Sequence, residues 1–319
     1  MRDIPVEAVI CIPSFRRPEG LRRTLASIAA QRTDIAFAVV VIDNDRTSRQ
    51  AVAVARQFFA ESGVAGVTAV EENQGNCHAI NAAFGLARAT FAHASYFLMI
   101  DDDEAASAGW LSAMVDAARR FDADIVGGPV TRVFDRPVDA SISAHPLFGS
   151  IDARTGPIPI IHGSGNCLIA RRVFEELDQP RFDPHFNFLG GGDMDFFTRA
   201  RAQGCRFAWC EEALITEFVA ADRLSAGWLM NRSIRTGTIN YTMDRLRAST
   251  FGRRVLLAGK NVVSLGLSVG RMTNILIRTG RPLSATHPIL MSIGRIMGSL
   301  GIVPTPYKER SRTAEPPHA

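Results

Sequence analysis

Tyr96-Phe97-Leu98-Met99-Ile100 runs directly into Asp101-Asp102-Asp103-Glu104, five apolar residues followed by four consecutive carboxylates. The apolar half reads as a buried strand. The acids must then sit at its mouth, because an unpaired carboxylate inside a core is prohibitively costly. Alternate acids such as Asp101 and Asp103 suit a hard divalent cation that keeps some waters and also holds substrate phosphates. The same residues also read as a solvated acidic turn before a helix starting near Ala108, with their charge favouring its N-terminus.

Such a mouth needs a scaffold, and the first 126 residues supply one. Ala8–Ile12, Ala36–Ile42, Val67–Val70 and Ser95–Ile100 are short apolar or β-branched runs. Helical patterns at Glu19–Ala30, Arg49–Gly63 and Cys77–Ala89 lie between them, with Leu21, Leu25 and Ile28 on one face. Repeated strand–helix alternation predicts an α/β fold with a mostly parallel sheet covered by helices on both faces. Ligands in such sheets bind beyond the carboxyl ends of the strands. Ser14, Asp43, Asn73 and Asp101 follow the first four strands in turn, so all four converge on that edge. From Gly127 to about Pro159 the pattern weakens into an excursion suited to bordering a substrate.

The chain has 319 residues, 46% hydrophobic and 21% charged, enough for one large domain with an appendage or for two. Its five cysteines form no CxxC pair, and Cys11 and Cys167 lie in strand-like runs, which points to buried thiols in a reducing compartment. Met1 to Glu7 lacks the apolar core of a signal peptide. The net charge of +4 hides an asymmetry: Phe251 to Lys308 carries eight basic residues and no acid, leaving 28 basic against 32 acidic residues elsewhere. A mildly acidic body with a basic tail is not a nucleic-acid footprint. That tail is apolar but interrupted at Lys260, Arg271, Arg278, Arg281 and Arg295, so it lacks the roughly 20-residue run of a membrane span. It predicts basic amphipathic helices lying on an anionic membrane surface.

With these residues in place, the chain resembles the family 2 glycosyltransferases, which have the GT-A fold, and among them the bacterial exopolysaccharide enzymes of succinoglycan type. The resemblance rests on Cys11-Ile12-Pro13-Ser14-Phe15-Arg16-Arg17-Pro18-Glu19, Val41-Ile42-Asp43-Asn44-Asp45, Asn73-Gln74-Gly75 with Asn81, and Leu98 through Glu104. It continues in Gly165-Asn166 with Arg171-Arg172, Gly190 through Phe197, and Glu217 with Arg223, Trp228 and Arg232. It implies an inverting, metal-dependent transfer of a sugar, favoured as glucose, from a UDP-sugar donor to a lipid-linked glycan acceptor. The implied location is peripheral, at the cytoplasmic face of the inner membrane.

The resemblance places Pro13, Ser14, Asp43, Asn73 and Asp101 around the donor, with Asp43 accepting from the uracil ring and Asp101 facing the ribose. Asp103 would hold Mg²⁺ or Mn²⁺ on the diphosphate, with Asp102 and Glu104 as register alternatives. Asp193 would be the base that takes the acceptor hydroxyl's proton; its plainer role is a helix N-cap. The family usually has Glu before this aspartate, whereas this chain has Gly192. No QxxRW signature of processive synthases is present, which implies one sugar added per encounter.

The expected organisation is a catalytic domain over 1–250, a basic apolar helical segment over 251–308 and a disordered tail over 309–319. Two other readings compete. A nucleotidyltransferase normally has a glycine-rich phosphate loop after its first strand, yet Pro13 to Arg17 contains no glycine. A non-catalytic scaffold with a decayed nucleotide site would have little reason to keep Asp43, Asp101, Asp103 and Asp193 together.

Overall fold

A computed structural model describes residues 5–302 apart from Ser150 and Asp152; the expected tail over 309–319 lies outside the described residues. The first half runs β1 (Ala8–Ser14), α1 (Pro18–Ala29), β2 (Phe37–Asp43), α2 (Gln50–Ser62), β3 (Gly66–Val70), α3 (Asn76–Thr90) and β4 (Tyr96–Met99). Then come β5 (Glu104–Ala106), α4 (Trp110–Arg120), β6 (Ile125–Gly127), β7 (Val130–Phe134), α5 (Ala140–Ser143), β8 (Gly156–Ile158), β9 (Cys167–Ala170) and α6 (Arg171–Glu176). The remainder is α7 (Gly192–Ala202), β10 (Phe207–Trp209), β11 (Ile215–Val219), α8 (Ala226–Arg247), α9 (Phe251–Thr279) and α10 (Pro282–Ser299).

The main sheet has the order β3-β2-β1-β4-β9-β6-β10-β8. Strands β3, β2, β1 and β4 are parallel neighbours, and β6 is parallel to β10. Between these blocks β9 runs antiparallel to both β4 and β6, so the sheet is mixed but mostly parallel. Alternate residues of β1 enter opposite cores: Val9 and Cys11 pack with Ile80 and Phe84 of α3, and Ala8, Ile10 and Ile12 with Leu21, Leu25 and Ile28 of α1. Burial on both faces explains why these strands read as unbroken apolar runs.

A second sheet, β5-β11-β7, has no counterpart in the sequence reading. Strand β5 is three residues long, too short to carry a periodic signal. Its position matters, because only Ile100–Asp103 separate it from β4. The acidic run is therefore the joint between the two sheets.

The C-terminal helices cross the expected 250/251 boundary. Helix α10 returns onto α8, and their backbones touch: a Cβ on Gly237 would lie 1.9 Å from the Met291 carbonyl oxygen, and one on Gly294 1.8 Å from that of Ile234. The Thr238 hydroxyl donates to the Gly294 carbonyl at 2.9 Å, and buried Arg295 donates to Asp244 at 2.8 Å. The basic segment is thus two different things, a packed strut in α10 and an outward helix in α9. No helix of the described residues is long and apolar enough to cross a membrane.

Candidate active site

A cavity of about 750 Å³ opens beyond the carboxyl ends of β1 and β4, where parallel sheets bind ligands. Pro13, Ser14, Asp101, Asp103 and Asp193 all line it. Asp102 organises one wall from within: it accepts from the Ser14 hydroxyl at 2.8 Å, the Phe15 amide at 3.2 Å and Arg17 Nη1 at 3.1 Å. The Ser14 hydroxyl therefore already donates within the protein, and Asp102 acts as a loop anchor.

Asp103 turns toward the small sheet. One of its oxygens meets Arg17 at 2.7 Å and Arg223 at 3.3 Å. Arg223 reaches on to Glu217 at 3.4 Å, and Glu217 is held by Arg132 at 2.9 Å. Asp101 and Glu104 crowd together at Gly165, where a Cβ would lie 3.0 Å from an Asp101 oxygen and 2.9 Å from a Glu104 oxygen. Burial, then the charges of Asp103 and Asp102, push Asp101 up to about 8. Glu104 is raised well above the usual carboxylate range by burial and by Asp101. Such mutual repulsion is what a cation relieves.

The donor set here is all oxygen, as Mg²⁺ or Mn²⁺ requires. Among the described residues no three His, Cys, Asp or Glu side chains converge as a complete metal cage. An Mg²⁺ ion held by one or two carboxylates and completed by phosphates and water needs no such cage. On the chemistry of its donors, the Asp101–Asp103 turn fits a metal shared with a substrate.

Across the cavity, Gly191 takes a left-handed φ of 94° and launches α7, which puts Asp193 in the first turn facing the open space. The Met194 amide donates to Asp193 at 2.8 Å. Asp195 is turned away and bound to Arg199 at 2.8 Å, leaving Asp193 as the carboxylate available to a ligand. Gly192 has a packing reason: a Cβ there would lie 2.6 Å from Cys77 Sγ, so Cys77 occupies the room a glutamate at 192 would need.

Two expected donor residues do not reach the cavity lining. Asp43 is 1% exposed and accepts from the amides of Asp45 at 2.9 Å and of Ala51 and Val52 at 2.8 and 3.3 Å. It caps α2 and tightens the following turn. Asn73 bonds its amide groups back to Glu71 at 2.8 and 2.9 Å. The neighbouring Asn44 does line the cavity. It donates to the carbonyls of Glu71 and Asn73 and accepts from the Gly75 amide, so it fixes the loop before α3. The two residues Asp43 and Asn44 are adjacent in the sequence, and no periodic signal separates their roles. Arg171 and Arg172 also serve structure, bonding the Ala94 and Phe91 carbonyls and Asp124 respectively. Asn166 is buried and joins Trp110 Nε1 to the Pro129 and Ala213 carbonyls.

The outer wall comes from α8 and from the segment after α5. Phe148 and Trp228 stack with ring planes 4° apart, and Arg132 Nη1 holds the Phe148 carbonyl at 2.9 Å. Arg232, one turn beyond Trp228, also lines the cavity, and among the described residues its guanidinium makes no hydrogen bond or ion pair. Behind this wall buried His145 packs edge-on to His287 of α10, with ring centroids 5.2 Å apart. Burial, then His287, lowers His145 to about 4. The folded state therefore refuses a proton that an unfolded histidine accepts near its ordinary value of 6.5. Stability should fall as pH drops from about 6.5 toward 4. Melting temperature against pH measures this, and His145→Phe should flatten the slope over that window even if its melting point is lower throughout. Identical slopes in the two proteins would contradict it.

Comparison with known proteins bears on the same residues. A family model described as "Glycosyl transferase family 2" matches residues 9–178, more than half of the chain. The chain belongs to glycosyl transferase family 2. This glycosyltransferase is 28% identical to the succinoglycan biosynthesis protein ExoM of Rhizobium meliloti (strain 1021), with 72% of each chain covered. Its architecture is that of GT-A structures. S. aureus TarS 1-349 in complex with UDP-GlcNAc matches with a TM-score of 0.53 at 12% identity over 92% of both chains, while the match to a longer TarS chain spans 44% of it. GalNAc-T7, solved with UDP, GalNAc and Mn²⁺, matches with a TM-score of 0.52 at 13% identity over 74% of this chain and 48% of that one.

Proposed function

We propose that this glycosyltransferase moves a single sugar from a UDP-sugar to a lipid-linked oligosaccharide, with inversion, in exopolysaccharide assembly. One observation carries the reading: a single cavity holds Asp193 at one helix N-terminus and, on another wall, the Asp101–Asp103 turn. One carboxylate accepts a proton while the other pair manages the leaving diphosphate. UDP and UDP-GlcNAc bound to TarS, and the succinoglycan role of ExoM, support the donor and the pathway class. Glucose is the sugar we favour, from the resemblance to succinoglycan-type exopolysaccharide enzymes.

Asp103 would hold Mg²⁺ or Mn²⁺, a reading that the Mn²⁺ of GalNAc-T7 supports, and when bound the metal would neutralise charge on the leaving nucleoside diphosphate. Pro13, Ser14 and Asp101 border the nucleoside. Asp43 and Asn73 act from behind, shaping the turns that present Asn44 and Gly75. Asp193 takes the proton from the acceptor hydroxyl as the sugar is displaced in line. The Trp228–Phe148 wall offers an aromatic face to the acceptor glycan. A lipid-linked acceptor makes the enzyme a peripheral protein of the cytoplasmic face of the inner membrane.

The test is a panel of nucleotide sugars incubated with the purified enzyme and membrane lipid extract. A UDP-sugar should give a lengthened lipid-linked glycan of inverted anomeric configuration, with UDP released. Release of pyrophosphate instead would mark nucleotidyl transfer, and a product of retained configuration would reject the single-base mechanism.

A further inference from the structure

Helix α9 presents three distinct faces. Leu257, Asn261 and Ser268 are buried toward the protein. Opposite them, Phe251, Leu256, Val262, Val263 and Ile277 are 81, 75, 72, 60 and 79% exposed. With Leu265, Leu267, Val269 and Leu276, exposed as well, they spread over about 200° of the circumference at about 100° per residue. Arg253, Lys260, Arg271 and Arg278 are all exposed and fall within about 20° of one another on the same wheel, a basic ribbon along one edge of the apolar arc. Lys260 pairs with Asp244 at 2.7 Å. Among the described residues, no acidic side chain pairs with Arg253, Arg271 or Arg278, and α9 and α10 contain no acid at all.

From this arrangement we infer that the outer face of α9 is the docking surface for an anionic lipid bilayer. The helix lies in the interface with its apolar arc in the acyl boundary and its arginines against headgroup phosphates. Two features select this occupant over a second copy of the chain. A helix-pairing seam is narrow, whereas this arc exceeds half the circumference. A uniformly basic edge without acids repels its own copy and attracts anionic headgroups. The inference builds on the lipid-linked acceptor proposed above and specifies how the enzyme meets the membrane that holds it, yet it is scored without sugar transfer.

The full chain is mixed with vesicles of phosphatidylcholine alone or with phosphatidylglycerol added, and sedimented. Binding to the anionic vesicles should be at least about tenfold stronger and should weaken with salt. Replacing Arg253, Arg271 and Arg278 with glutamine should lower partition roughly fivefold for each arginine. Leu256→Ser with Ile277→Ser should lower it on both kinds of vesicle; these side chains are exposed, so circular dichroism should stay unchanged. Equal partition onto neutral and anionic vesicles, or no loss in either variant set, overturns the proposal. So does concentration-dependent self-association by light scattering that the leucine and isoleucine changes abolish while vesicle binding persists. Failure here with a positive nucleotide-sugar panel would leave the transferase reading intact and remove only this surface.

Discussion

Asp193→Asn should lower turnover by roughly 10²–10⁴-fold, the contribution of a positioned general base, while UDP-sugar affinity stays nearly constant. The amide keeps the shape of the carboxylate and can still receive the Met194 amide through its oxygen, a bond of 2.8 Å in the native chain. What it loses is the capacity to accept the hydroxyl proton. Asp195→Asn is the matched control. It breaks the pairing with Arg199 at 2.8 Å and should show itself in thermal stability. Steady-state kinetics with saturating donor separates them. Near-normal turnover in Asp193→Asn together with lost turnover in Asp195→Asn would make Asp195, not Asp193, the base.

Removing Asp103 should change UDP binding in two opposite directions. In the native chain divalent metal should tighten UDP by on the order of 10–100-fold, the effect of roughly 1.5–3 kcal/mol for contacts to a charged group. Asp103→Ala should erase that gain. Without metal the variant should bind UDP somewhat better than the native protein, because Arg17 and Arg223, which meet Asp103 at 2.7 and 3.3 Å, are then released toward a diphosphate. Calorimetry with Mn²⁺, with Mg²⁺ and with EDTA gives both numbers. A metal gain of the same size in the variant would take the metal away from Asp103.

The parts of this architecture that were legible in the sequence are those where one physical demand dominates. β1 through β4 are buried on both sides, so their residue types are restricted and the helices between them show their faces. The mouth residues Ser14, Asp101, Asp103 and Asp193 could be located because a strand or helix end fixed each one. What escaped was set by contacts distant in sequence. β5 gains its antiparallel partner β11 from more than a hundred residues away, and its three residues show no period. Asp43 and Asn44 are adjacent, and only the fold decides that the first turns inward to cap α2 while the second reaches the cavity. The aromatic wall needs Phe148 and Trp228, eighty residues apart, to meet face to face. The C-terminal segment read as one basic apolar tract, yet Gly237 and Gly294 split it into a packed helix and an outward one.

That close passage of α8 and α10 also sets a length scale. With glycine on both sides and carbonyl oxygens under 2 Å from where a side chain would begin, the two helices have almost no freedom to slide. Helix α8 carries Trp228 and Arg232 at one end and is clamped near its middle to the strut that leads back to α9. The enzyme consequently works like a caliper with its jaws locked. In the proposed arrangement, with α9 on the bilayer and Asp193 as the base, the separation between them belongs to the folded body and not to a flexible tether. Glycans growing from a common lipid anchor would then be sorted by height, since only a chain of one length lifts its terminal hydroxyl to the fixed jaw.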